Sequence, residues 1–175
     1  MIPAAVGALA RLNKLPPEKA RAEFLRCCGS ARWAEAMLQR RPYRSPAQLF
    51  GAARTAWESL HREDWLEAFG QHPRIGDLAS LRTRFASTSE WASGEQGAVA
   101  QASEQILVQL SDGNRRYEQK FGYIFIVCAT GKSAAEMLSM LEFRLPNSPA
   151  VEIRIAATEQ AKITRLRLEK LLSRS

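Results

Sequence analysis

The sequence predicts an all-α fold, and three observations carry that prediction. Helix-length segments recur between Ser-Pro or Pro-Pro starts and Gly, Asn or Pro stops. Inside these segments apolar residues return every three to four positions. Only one run, residues 121–129, reads as a strand, and nothing elsewhere in the chain offers it an obvious partner.

The elements follow in order. Pro16-Pro17 precedes a helix that runs to Cys27-Cys28 and closes at Gly29. Proline suits a first turn, where its missing N–H has no partner, and glycine suits a helix end. Ser30 caps the next helix, which Pro42 stops. Ser45-Pro46 opens a third, in which Leu49, Ala52, Ala53, Ala56, Trp57 and Leu60 keep helical spacing. A short amphipathic piece, Glu63 to Phe69, closes at Gly70. Gln71 to Asp77 is a structured loop, because Pro73 biases His72 away from helix and Gly76 permits a sharp turn. Asp77 to Glu90 is polar and poorly periodic and reads as a loop with a short helical turn. From Trp91 to Phe121 a long helical pattern resumes, with a bend or break expected near Gly113. Ser133 and Glu136 form a capping box that opens a helix to Leu145. Asn147 ends it, and Ser148-Pro149 starts the last. The expected architecture is one multi-helix domain spanning residues 1–175, with 121–129 as a buried extended segment.

Composition bounds the function. A chain of 175 residues, 46% apolar and 25% charged, is one domain's worth of sequence. It buries roughly 70% of its unfolded surface, enough for a core without metal or disulfide staples. No apolar run nears the ~20 residues that cross a bilayer, so no membrane partner is expected. The first fifteen residues lack the basic start, long apolar stretch and cleavage site of a secretory signal. Cys27, Cys28 and Cys128 are odd in number and two are adjacent, which favours reduced thiols and a cytoplasmic location. The net charge of +7, with 19 arginines among 25 basic residues, favours an anionic partner. That partner is a nucleic acid or a small acidic substrate. A nucleic-acid binder would carry a basic stripe. Here the cations are scattered, and Arg40-Arg41 and Arg115-Arg116 are only pairs, so a basic helical nucleic-acid-binding protein is the alternative reading rather than the leading one.

Few residues can do chemistry. There are two histidines. His61 falls at a helix end beside Arg62 and Glu63, where a solvated or capping role suits it. His72 lies in the Pro- and Gly-fixed loop. Its ordinary pKa of ~6.5 equips it for proton transfer near neutrality, and a structural role is equally open on the residues alone. Cys27-Cys28 fits helix packing rather than zinc, and Cys128 has no neighbouring histidine to activate it. No metal-ligand spacing, Walker loop or dinucleotide fingerprint is present. Glu95-Gln96 is an ordinary dipeptide by itself, yet a carboxylate beside a histidine makes a tunable acid–base pair. Arg165 and Arg167 are two apart, so at most one faces inward on a helix. A buried Arg167 guanidinium needs an anion, either a protein carboxylate or a substrate carboxylate.

Several segments together resemble one known family. They are Cys28-Gly29-Ser30-Ala31-Arg32-Trp33-Ala34, Arg41-Pro42, Ala68-Phe69 ahead of His72-Pro73-Arg74-Ile75-Gly76-Asp77, and Trp91 with Glu95-Gln96. Asn114 with Tyr117, Phe121-Gly122 with Phe125-Ile126, and Ile163 with Arg167-Leu168 complete the set. In order and spacing they resemble 2-oxo-4-hydroxy-4-carboxy-5-ureidoimidazoline (OHCU) decarboxylase of urate breakdown, from about Leu12 to Leu172. The resemblance implies an all-α homodimer without cofactor or metal, acting on a small anionic ureidoimidazoline and yielding (S)-allantoin. It implies catalytic roles for His72, Glu95 and Arg167. It also implies substrate binding by Pro73, by Ala92, Ser93, Gly94, Glu95 and Gln96, by Phe125, Ile126, Val127, Cys128 and Ala129, and by Arg167. The family commonly has Ser three residues before the Glu. Here that position is Ala92, and Ser93 is its neighbour, which on a helix moves the hydroxyl by about 100°.

Overall fold

The computed structural model describes the backbone of residues 3–73, 76–86 and 96–173, and the side chains within these except those of 3, 4, 86 and 96–102. Among the described residues there are nine helices and no strand, so the fold is all-α as predicted.

The chain divides into two compact units. The first comprises residues 1–72 and 157–175. It contains α1 (Pro3–Lys14), α2 (Pro17–Cys27), α3 (Ala31–Gln39), α4 (Pro46–Glu58), α5 (Arg62–Gly70) and the later turns of α9 (Pro149–Ser173). Its starts are those the sequence marks. Pro17 opens α2 within its first turn. Ser30 Oγ accepts from the Trp33 amide at 3.3 Å, and Ser45 Oγ accepts from the Gln48 amide at 3.1 Å, closing otherwise orphaned donors. At α5 the His61 amide donates to Asp64 Oδ2 at 3.0 Å, which places His61 at a cap. The core forms because α2, α3 and α4 turn one apolar face toward each other: Phe24, Trp33, Met37 and Leu49 are fully buried. Phe24 meets Trp33 edge-on at 6.1 Å between ring centroids, an arrangement worth ~0.5–1.5 kcal/mol beyond its burial. The indole N–H of Trp33 reaches Ala53 O and that of Trp57 reaches Ala157 O, each at 3.0 Å, so neither ring buries an unpaired donor.

The second unit comprises residues 73–156: α6 (Leu78–Ala86), α7 (Gln96–Phe121), α8 (Ala134–Arg144) and the first turns of α9. Its core gathers Leu81, Leu107, Leu110, Val127, Met137 and Leu141. Ser133 and Glu136 form the expected capping box at α8. Phe121 is the last residue of α7 rather than the first of the irregular segment. Gly122 and Gly131 bracket the stretch between α7 and α8 with positive φ of 80° and 76°, which glycine adopts without strain. Within that stretch Tyr123, Ile126, Val127 and Cys128 are buried.

Two expectations are corrected. Residues 78–86 are a nine-residue helix, not a loop with one turn. Asp77 caps it, accepting from the Ser80 amide at 2.9 Å and the Ser80 hydroxyl at 2.7 Å. The helix holds because Leu81 is buried in the core and Leu78 and Phe85 pack against it, although arginine and threonine hold the positions between. α7 runs unbroken past Gly113. That glycine serves a close approach: a Cβ there would lie 2.6 Å from Leu141 Cδ2. Pro3–Lys14 is a further helix, for which the sequence reading assigns no element.

Candidate active site

His72 is set by the end of α5. Ala68 and Phe69 are buried at the last turn, and their carbonyls accept from Gln71 N at 3.3 Å and His72 N at 3.2 Å. Pro73 then prevents helical continuation. On the other side, the chain bend after α2 presses Gly29 against Gln71, and a Cβ on Gly29 would overlap the Cβ and Cγ of that side chain. The turn that presents His72 is therefore held by both of its neighbours.

The ring of His72 is half-buried and meets α9. Its Nε2 lies 2.5 Å from Gln160 Oε1. Gln160 is wholly buried, and its Nε2 donates to Thr164 Oγ1 at 3.2 Å. Thr164 is hydrogen-bonded in turn to Cys28. Gln160, Thr164 and Arg167 stand four and three residues apart, the spacing that puts side chains on one face of a helix. Arg167 is half-buried and donates from Nη1 to Cys27 O at 3.4 Å. Among the described residues it forms no ion pair, and a guanidinium carries five donors. Arg165 points away: exposed, it bonds Glu169 at 3.0 Å and covers the Phe50 ring at 4.5 Å. One of the two arginines faces inward, as their spacing requires.

Electrostatics follow from this packing. Burial pushes the His72 pKa below the ordinary histidine value. The Gln160 bond pulls against that, and the Arg167 charge adds to the lowering. Burial and the Arg167 charge thus both favour the neutral form of the ring. The contact with Gln160 occupies Nε2 and leaves Nδ1 as the nitrogen open to exchange a proton. Burial lifts the Cys28 thiol to about 11, which keeps it protonated and unreactive.

The other expected site residues are placed as follows. Pro73 is exposed. Ala92, Ser93, Gly94 and Glu95 lie outside the described residues, so the pairing of Glu95 with His72 does too. Gln96 opens α7. Phe125 to Ala129 form the irregular segment of the second unit, and Arg144 organises it. The Arg144 guanidinium donates to Ile126 O at 2.8 Å and lies 4.6 Å from the centre of the Phe125 ring. Lys132 bonds the Cys128 carbonyl at 2.7 Å from Nζ and the Ala129 carbonyl at 3.1 Å from its amide. Arg144 is itself buried on Glu152, with Nε to Oε1 at 2.7 Å; Asn147 and Tyr117 complete the carboxylate's bonds. Sequence reasoning missed Gln160, Thr164, Arg144 and Glu152. The first two were detectable by spacing from Arg167. The Arg144–Glu152 pair was not, since a helix break separates its members.

The OHCU decarboxylase family model matches residues 13–169. This chain belongs to the OHCU decarboxylase family. It is 42% identical over 153 residues to the uric acid degradation bifunctional protein TTL of Arabidopsis thaliana, covering 86% of this chain and 47% of that protein. The chain thus spans about half the length of that bifunctional relative. A 2-oxo-4-hydroxy-4-carboxy-5-ureidoimidazoline decarboxylase of Haloferax volcanii is 28% identical over 140 residues, 80% of each chain. Among solved structures, an OHCU decarboxylase in the presence of (S)-allantoin superposes with a TM-score of 0.70 at 38% identity, covering 87% of this chain and 98% of that one. An (S)-allantoin synthase shares the fold at a TM-score of 0.66 and 18% identity, over 93% of this chain and 53% of that one.

Proposed function

We propose that this chain decarboxylates OHCU to (S)-allantoin in urate degradation. The observation that carries the reading is His72: a half-buried imidazole held from α9, close to the charge of Arg167, in a chain of this family. The chemistry needs no resident cofactor. When the bond from C4 to the carboxylate breaks and CO2 leaves, its electron pair flows toward C5 and onto the adjacent ring nitrogen, which serves as the sink. The 4-hydroxyl must lose a proton to become the product carbonyl, C5 must gain one, and the ring nitrogen that received the electron pair takes another from water, so loss of CO2 from the substrate anion consumes one proton overall. Neutral His72 takes the first proton and, as the imidazolium, returns it to one face of C5, which sets the configuration. Arg167 orients the anionic substrate. Glu95 stabilises the transient imidazolium. Gln96, with Ala92, Ser93 and Gly94, and the backbone of Phe125 to Ala129 bind the ureido and ring amides, beside Pro73. The active form is a homodimer in the cytoplasm.

The test uses OHCU made in situ from urate by oxidation and hydrolysis. Purified chain should speed CO2 release above the spontaneous rate. His72→Ala should lose ~10²–10⁴-fold, the usual worth of a positioned acid–base group. A wild-type rate equal to that of buffer would refute the proposal.

A further inference from the structure

We infer that Gln160 and Thr164 are positioning residues for this reaction: they hold His72 by Nε2 and leave Nδ1 as the nitrogen that carries the proton. The inference rests on the decarboxylase reading above and names a part of its machinery. A wholly buried amide is costly unless both its ends are bonded. Gln160 meets that demand with two partners, His72 after α5 and Thr164 one turn along α9. Its oxygen takes the His72 Nε2–H, and its N–H goes to Thr164 Oγ1. The Thr164 hydroxyl proton is then free to reach Cys28. Flipping the amide would still occupy Nε2, but it would pull the Thr164 proton away from Cys28. With Thr164 donating to Cys28, the network is satisfied throughout when Nε2 is protonated. Which ring nitrogen carries the proton is set by the bond that the other nitrogen makes.

A neutral partner also suits the task. A carboxylate at this position would hold the ring as imidazolium and block the first proton transfer. Glutamine orients without charging. Of the described titratable groups, Arg167 on α9 acts directly on the ring, while Glu67 on α5 acts on Cys28 behind Thr164.

The experiment compares kcat/KM against pH for wild type, Gln160→Glu, Thr164→Ser and Thr164→Val, with His72→Ala as control. Gln160→Glu, nearly isosteric, should move the acid limb up by about one pH unit or more and recover activity at high pH. Thr164→Ser should keep the wild-type profile, and Thr164→Val should lower kcat with KM little changed. Nitrogen-15 NMR of the wild type at pH 7.5 should show His72 protonated at Nε2 and bare at Nδ1. An Nδ1–H tautomer, or a Gln160→Glu profile identical to wild type while His72→Ala is inactive, overturns the assignment. Full activity in His72→Ala overturns instead the decarboxylase mechanism on which it rests.

Discussion

His72 trades stability for readiness. Its folded pKa lies below the ordinary ~6.5, so between those two values the unfolded chain binds the proton and the folded chain does not. Stability from this group therefore rises with pH across that window. The penalty is absent above pH ~6.5 and grows as pH falls toward the folded value. Urea unfolding should give a smaller free energy at pH 5 than at pH 7.5, and His72→Asn should reduce that difference. An unchanged difference in the variant would assign the acid sensitivity to other groups. At this scale the sequence was informative where backbone constraints leave a mark. Pro73 and Gly76 flagged the loop that carries His72, and the two-residue spacing of Arg165 and Arg167 allowed at most one of them to face inward. Gln160 left only its spacing from Arg167, because a glutamine in a polar helical stretch otherwise looks like a surface residue until the fold buries it.

Helix starts were readable for a local reason. A Ser or Pro at a cap acts on amides one turn away, so Ser30, Ser45 and Ser133 each predicted a boundary that the structure keeps. Failures came where a distant contact decided. Gly113 looked like a break, but it is a contact point for Leu141 on α8, 28 positions later. Gly113→Ala should gain ~0.5–1 kcal/mol of helix stability and lose ~1–3 kcal/mol to overpacking, for a net loss. Adding Leu141→Ala should cost less in that background than in wild type, as a double-mutant cycle by chemical denaturation would show. The buried Arg144–Glu152 pair is a second such contact. Arg144→Leu strands a wholly buried carboxylate and should cost ~3–5 kcal/mol, while Arg144→Met with Glu152→Leu should recover much of that loss. If the single and double variants unfold at the same denaturant concentration, the pair is not what holds the segment from Phe125 to Ala129.

For the whole molecule, the net charge of +7 is tempered by pairing. Arg21, Arg26, Arg32, Arg54, Arg82, Arg115 and Arg165 each bridge an acidic side chain, most of them exposed. Such pairs add little stability, but they break up any continuous basic stripe. Heparin should accordingly release the protein at or below physiological salt; steep retention above it would favour a nucleic-acid partner. The all-α class was legible because the apolar periodicity is local. The division into two units was not, because no linker marks it: one boundary falls between His72 and Pro73, the other inside α9. The central claim is that one imidazole delivers the proton that fixes the product's configuration. Circular dichroism of the allantoin formed from OHCU tests it most directly. Wild type should accumulate the S enantiomer, and His72→Asn should give a racemic product at the spontaneous rate. A His72→Asn protein that still yields a single enantiomer at the wild-type rate would contradict the account.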